Sequence, residues 1–246
     1  MVILNGLSLF SGIGGLDLAF QWAGGNIIAM CEINSFCQKV LRKHWHYVPI
    51  FNDIKELNAS HVGAIDIIYG GFPCQPFSVA GNKKGKDDDR YLWPEFSRLV
   101  AEIKPCWVVA ENVPGILHIA ADTVCSDLER QGYSVGIWDF EAASVGAKHR
   151  RERIFFVAHS RCSLRQRSFQ QGTLRDETKG GTSCKPQRPS CAPFGLYGKW
   201  EPEPRVGRVA HGFPHRVDRL RALGNAVVPQ QAYPIFKTII DMEVIS

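Results

Sequence analysis

Apolar and polar positions alternate between two rhythms over the first 158 residues. Short apolar runs predict strands at Ile3–Phe10, Asn26–Cys31, Ala64–Tyr69, Trp107–Ala110, Ser134–Phe140 and Arg153–Ala158. Between them, the three-to-four spacing of amphipathic helices appears at Leu16–Ala23, Ser35–Trp45, Leu92–Ile103 and Ile116–Gln131, the last ending near Gly132. The isoleucines of Ala64–Tyr69 suit a strand covered on both faces. Strands that alternate with helices predict an α/β fold, a doubly wound and mostly parallel sheet. The pattern lapses after Ser160: Arg161–Lys199 is rich in Arg, Gln, Ser, Gly and Pro without a period, as in a small irregular unit or an insertion. Order returns at Val217–Leu223, followed by a Gly-Asn turn and a last helix over Gln230–Ile240. No internal repeat is visible.

Composition narrows the class. With 246 residues, 45% hydrophobic and 22% charged, the chain has the balance of a globular protein and not of collagen, a coiled coil or a disordered polymer. No run has the length of a membrane span, and no basic stretch with an apolar core opens the sequence, so no membrane association is expected. Eight cysteines without regular pairing favour a reducing cytoplasm over a disulfide framework. Charge is unevenly placed. Between His159 and Arg221 stand thirteen Lys and Arg against five Asp and Glu, a balance of +8, while the rest of the chain carries −3. A basic block beside a mildly acidic body suggests that one part of the chain meets a polyanion.

The candidate chemistry lies at strand ends. Ser8-Leu-Phe-Ser-Gly-Ile-Gly-Gly15 falls where the first strand turns into the first helix, and glycines there let the backbone approach a ligand at a helix N-terminus. Glu32 ends the second strand, where a carboxylate can accept both hydroxyls of a ribose. Asp53 can take an adenine amino proton, with Ile54 flanking the ring. The turn reads G-x-G-G, without the third dinucleotide glycine, so an adenine nucleoside fits better than NAD. Gly70-Gly-Phe-Pro-Cys74-Gln-Pro-Phe-Ser78 follows the isoleucine-rich strand and delivers Cys74 to the same edge, its prolines stiffening the segment around a candidate nucleophile. Glu111-Asn112-Val113 ends the next strand, and a carboxyl there in an apolar setting can act as a proton donor. Arg151 and Arg153, spaced by two, would share one face of an extended strand and could grip a carbonyl or phosphate. His159, Cys162, Cys184 and Cys191 lack any C-x-x-C spacing, so no metal site is expected.

Phe10-Ser-Gly-Ile-Gly-Gly, Phe72-Pro-Cys-Gln-Pro-Phe-Ser, Glu111-Asn-Val, Arg151-Glu-Arg and Gly224-Asn-Ala-Val-Val-Pro229 occur in one order, and together they resemble the DNA (cytosine-5)-methyltransferases. The resemblance covers residues 3–158 and 217–240. It implies an AdoMet-dependent methyltransferase fold (Rossmann-like) made of residues 1–158 plus 220–246, with a short target-recognition region at 159–219. It further implies that a Cys74 thiolate adds to cytosine C6, that Glu111 protonates N3, and that Arg151 and Arg153 lie near the base. S-adenosyl-L-methionine would contact Phe10, Gly12, Ile13, Gly14, Glu32, Ile33, Asp53, Ile54, Pro73 and Asn225. Gln75, Ser78, Lys83, Lys84 and Arg90 would touch double-stranded DNA, with the target base flipped out. Ile33 and His149 depart from the usual family pattern, which favours an aromatic and a Gln there. A monomer is expected, with a cognate restriction endonuclease as a candidate partner. Two rivals remain: a tRNA cytosine-5 methyltransferase, and a DNA-binding homologue that has lost catalysis.

Overall fold

The computed structural model describes residues 3–73, 91–160 and 216–245. Seven strands form one sheet: β1 (Asn5–Leu9), β2 (Asn26–Cys31), β3 (Ile50–Phe51), β4 (Ile67–Gly71), β5 (Trp107–Asn112), β6 (Tyr133–Phe140) and β7 (Arg153–Ser160). Their order is β3-β2-β1-β4-β5-β7-β6. The pairs from β3 to β5 are parallel, and β7 is antiparallel to both of its neighbours. The strand order reverses direction between β1 and β4, which opens a crevice beyond the carboxyl ends of those strands, the usual ligand position in such sheets.

Period-two side chains divide the core between the two faces. Leu7, Leu9, Ile68, Val108 and Ala110 face one cluster, beneath α3 (Trp93–Ile103) and α5 (Ala121–Arg130). Ile67, Tyr69, Trp107 and Val109 face the other, which holds Leu16 and Phe20 of α1 (Gly15–Ala23) and Leu41 of α2 (Ser35–His44). Ile235, Phe236, Ile239 and Ile240 of α7 (Pro229–Ile245) complete that second cluster, so this helix shares the core of the sheet. The remaining helices are α4 (Ile116–Ile119) and α6 (Arg216–Asn225).

The structure revises several expected elements. Ile116–Gln131 is two helices, broken at Ala120 (φ −145°). Alanine is the best helix former, so local propensity does not announce this break; Ala120 and Ala121 are both buried in the core beneath α3. The two-residue β3, which pairs Ile50 with Met30 and Phe51 with Cys31, is too short to leave a periodic signal. Strand β7 continues through His159 to Ser160, beyond the expected Ala158, and the His159 ring lies 4.2 Å from that of Trp107. Helix α7 opens with Pro229, which suits a first-turn position, and runs to Ile245 despite Pro234 in its interior. No helix among the described residues is long and apolar enough to cross a membrane.

Candidate active site

The turn after β1 is built from left-handed backbone. Phe10 has φ 53°, Gly12 56° and Gly14 88°, and a side chain on Gly14 would also collide with the Trp45 ring, 2.4 Å from an ideal Cβ. The turn is tied to β2 where the Ser11 amide donates to the Cys31 carbonyl (3.1 Å). A Cβ on Gly12 would meet no atom within 4 Å, so the space over this peptide is open.

Glu32 closes one side of that opening. It is buried; Oε2 accepts the Gly12 amide at 2.7 Å and Oε1 accepts the Asn34 amide at 2.7 Å. Asn34 also caps α2 by accepting from the Phe36 and Cys37 amides, so one short segment fixes both the helix start and the carboxylate. A carboxylate has about four acceptor positions, so two remain for hydroxyls. An open glycine cradle with a buried acceptor beside it fits the nucleoside end of S-adenosyl-L-methionine. Ile13 and Gly14 line a neighbouring cleft, Phe10 is half-buried at the turn, and Ile33 is exposed beside Glu32. Asp53 accepts the Lys55 amide through Oδ1. Ile54 is buried in the core cluster against which Phe10 also packs, and Arg98 takes its carbonyl at 2.9 Å.

Across the β1–β4 crevice, Phe72 and Pro73 follow β4. The Asn112 amide donates to the Phe72 carbonyl at 2.9 Å, binding this exit to the end of β5. The sequence displays Asn112 beside Glu111 but gives no hint of this role. Glu111 is buried, with Oε1 2.9 Å from Arg153 Nε. Burial pushes its carboxyl up to about 7, outweighing the opposing pull of Arg153 and Arg151. A Cβ on Gly71 would stand 2.6 Å from Glu111 Oε2, so glycine there makes room for the carboxyl. The described chain stops one residue short of Cys74, and Cys74, Gln75, Ser78, Lys83, Lys84 and Arg90 lie outside the described residues, as does most of the basic block.

The two arginines do not share a face. Arg151 precedes β7 in left-handed backbone (φ 35°), and the strand alternation holds only from Arg153 onward. Arg153 turns to Glu111. Arg151 instead donates through Nη2 to the carbonyls of Gly224 (2.7 Å) and Ala226, on either side of the exposed Asn225. Fully buried Gln231 holds the Arg151 backbone, donating to its carbonyl at 2.7 Å and to that of Phe140 at 3.0 Å. Nothing in the sequence singles out Gln231. His149, Arg151 and Arg153 line a cleft of about 1100 Å³ together with Ile13, Gly14 and Val227.

Behind the glycine turn, buried Asp17 accepts the Tyr69 hydroxyl at 3.0 Å, and burial raises its carboxyl to about 6. Cys31, Cys37, Cys106 and Cys125 are buried, and burial pushes the Cys31 thiol up to about 12. Among the described residues no group of three or more His, Cys, Asp or Glu could hold a metal ion.

A family model for C-5 cytosine-specific DNA methylases matches residues 4–182. Over 156 residues the chain is 38% identical to the type II methyltransferase M.FnuDI of Fusobacterium nucleatum, covering 61% of this chain and 45% of that one. Over 160 residues it is 36% identical to the type II methyltransferase M.NgoMIV of Neisseria gonorrhoeae, covering 62% and 50%. The chain thus spans about half the length of these curated relatives. A crystal structure of a mutant of Spodoptera frugiperda DNMT2 superposes with a TM-score of 0.60 at 22% identity, over 78% of this chain and 56% of that one, a likeness of fold alone.

Proposed function

The chain belongs to the family of C-5 cytosine-specific DNA methylases, and from that premise we propose that it methylates C5 of cytosine in double-stranded DNA, using S-adenosyl-L-methionine and a covalent bond from Cys74. The observation that carries the reading is the buried Glu111 carboxyl, paired with Arg153 and raised to about 7, at the strand end beside the Phe72-Pro73 exit that leads into Cys74.

Cytosine C5 is too weak a nucleophile to react unaided. Attack of the Cys74 thiolate on C6 shifts the C5–C6 π electrons toward C5, and the proton on Glu111 passes to N3 as that charge develops. A carboxyl raised to about 7 is still protonated in a good part of the molecules near neutral pH, which an ordinary glutamate is not. Arg153 fixes the carboxyl's orientation and stabilises the carboxylate left after the transfer. The cofactor, when bound, supplies the methyl group that ends on C5. Loss of the C5 proton to water then lets the C5–C6 double bond re-form with expulsion of the Cys74 thiolate, and N3 returns its proton to Glu111. Glu32 and the Gly12 cradle would hold the nucleoside end of the cofactor, and Asn225 its far wall. Gln75, Ser78, Lys83, Lys84 and Arg90, with the basic stretch between residues 161 and 215, would meet the DNA.

DNA containing 5-fluorocytosine cannot lose its C5 substituent as a proton, so it should trap the enzyme. The expected result is a covalent complex stable to denaturation with the wild-type chain and none with Cys74→Ser. In parallel, labelled methyl groups from AdoMet should appear in duplex DNA and not in tRNA. Labelled tRNA, or a trapped complex that survives Cys74→Ser, would overturn the reading.

A further inference from the structure

The geometry points to Arg151 as a positioning residue that clasps the Gly224-Asn225-Ala226 turn against the glycine turn and so sets cofactor affinity, leaving the target base to Arg153. The inference rests on the proposed AdoMet reading of the glycine cradle and assigns this arginine a role within it.

Three observations converge. The guanidinium donates through Nη2 to the carbonyls on both sides of Asn225. The two hydrogens of one guanidinium nitrogen can satisfy two carbonyls at once, and the Gly224 carbonyl lies in the last turn of α6, where carbonyls run out of helical donors. The residue itself is immobilised: its left-handed φ of 35° is sparsely populated for a side-chain-bearing residue, and buried Gln231 grips its carbonyl from the first turn of α7. The clasped loop then presses on the cofactor turn. An ideal Cβ on Gly15 would lie 2.5 Å from the Val227 carbonyl oxygen, so the backbone after Ala226 is in direct contact with the start of α1. Arg151, Ala226 and Val227 of the loop, and Ile13 and Gly14 of the glycine turn line one cleft. Arg153 lines the same cleft but is tied elsewhere, through Nε to Glu111 and through Nη1 to the Glu152 carbonyl.

Calorimetric titration of the full chain with AdoMet, without DNA, separates the two arginines. For Arg151→Met the dissociation constant should rise about tenfold or more, while kcat at saturating AdoMet stays within a few-fold of wild type. Arg151→Lys, able to reach one carbonyl, should recover part of the affinity. Arg153→Met should do the reverse, binding AdoMet as wild type does and losing most of kcat. Gly15→Ala reaches the same loop from the opposite side with Arg151 intact. It should also weaken AdoMet, and the double variant with Arg151→Met should lose less than the product of the two effects, because neighbours acting on one element do not add. Equal affinity for wild type and Arg151→Met overturns the inference, as does lost kcat with unchanged affinity. Should Arg151→Met not fold, an unchanged dissociation constant in Gly15→Ala overturns it alone. A wild-type chain that binds no AdoMet sinks the proposed function and this inference with it; wild-type binding with an indifferent Arg151 sinks only this one.

Discussion

Two buried glutamates stand on opposite sides of the β1–β4 crevice and are held in opposite ways. Glu32, at the end of β2, has each oxygen on a backbone amide, 2.7 Å from Gly12 and 2.7 Å from Asn34. Glu111, at the end of β5, has one guanidinium on one oxygen and an apolar surround that lifts its carboxyl to about 7. Main-chain donors cannot give up their protons or swing away, so they make a permanent acceptor. A single arginine in a dry site leaves a carboxyl that can hold a proton and hand it on. The same residue type is thus suited to recognition on one half of the sheet and, in the proposed reaction, to proton transfer on the other, and the choice of hydrogen-bond partner sets the difference.

The contrast can be broken most severely at Glu111. Glu111→Gln keeps the shape and removes the transferable proton, so kcat should fall by about 10²–10⁴ while AdoMet affinity is kept, measured by single-turnover methyl transfer. The wild-type rate should itself decline above about pH 7, because the acid form is lost as pH rises through the raised value, and the residual activity of Glu111→Gln should lack that limb. Glu32→Gln sharpens the comparison from the other side. An amide nitrogen must then face one of two backbone N–H donors, and AdoMet should bind roughly 10–100-fold more weakly, with kcat at saturation within a few-fold of wild type. Gly71→Ala, which puts a methyl against Glu111 Oε2, should lower kcat by about tenfold, the order expected for a small misplacement of a catalytic group.

The smallest effect is on stability. Asp17 is raised by burial from 3.8 to about 6, so the folded state holds its proton more tightly than the unfolded chain. Its contribution is therefore intact below pH 3.8 and lost as pH rises through about 6. In Asp17→Asn the fall in unfolding free energy between pH 4 and pH 8, measured in urea, should shrink by about 2–3 kcal/mol.

What could be read from the sequence tracks the kind of constraint involved. The glycine turn, Glu32 and Glu111 were legible because backbone geometry and strand-end chemistry demand particular residue types at particular spacings. The Arg151–Arg153 pair was misread as a period-two face because nothing local reveals that Arg151 takes a left-handed conformation before β7 begins. That conformation accompanies the grip of Gln231, 80 positions away, on its carbonyl. The Phe72–Asn112 tie and the placement of Ile54 in the core share this origin: each depends on which elements become neighbours, not on any run of residues. Helix α7 was visible as an element, yet its packing on α1 through Phe236 against Phe20 is a tertiary fact.

The reversed direction of β7 has a consequence for the order in which the molecule comes together. Strands β6 and β7 form a hairpin that swings Arg153 back to Glu111 within one locally connected stretch of chain. Acid and arginine both precede Ser160, so they can meet while the polypeptide beyond it is still emerging from the ribosome. Arg151 must wait for carbonyls 73 and 75 positions downstream. A nascent chain halted after β7 carries both partners of the Glu111–Arg153 pair but neither of the carbonyls that Arg151 holds.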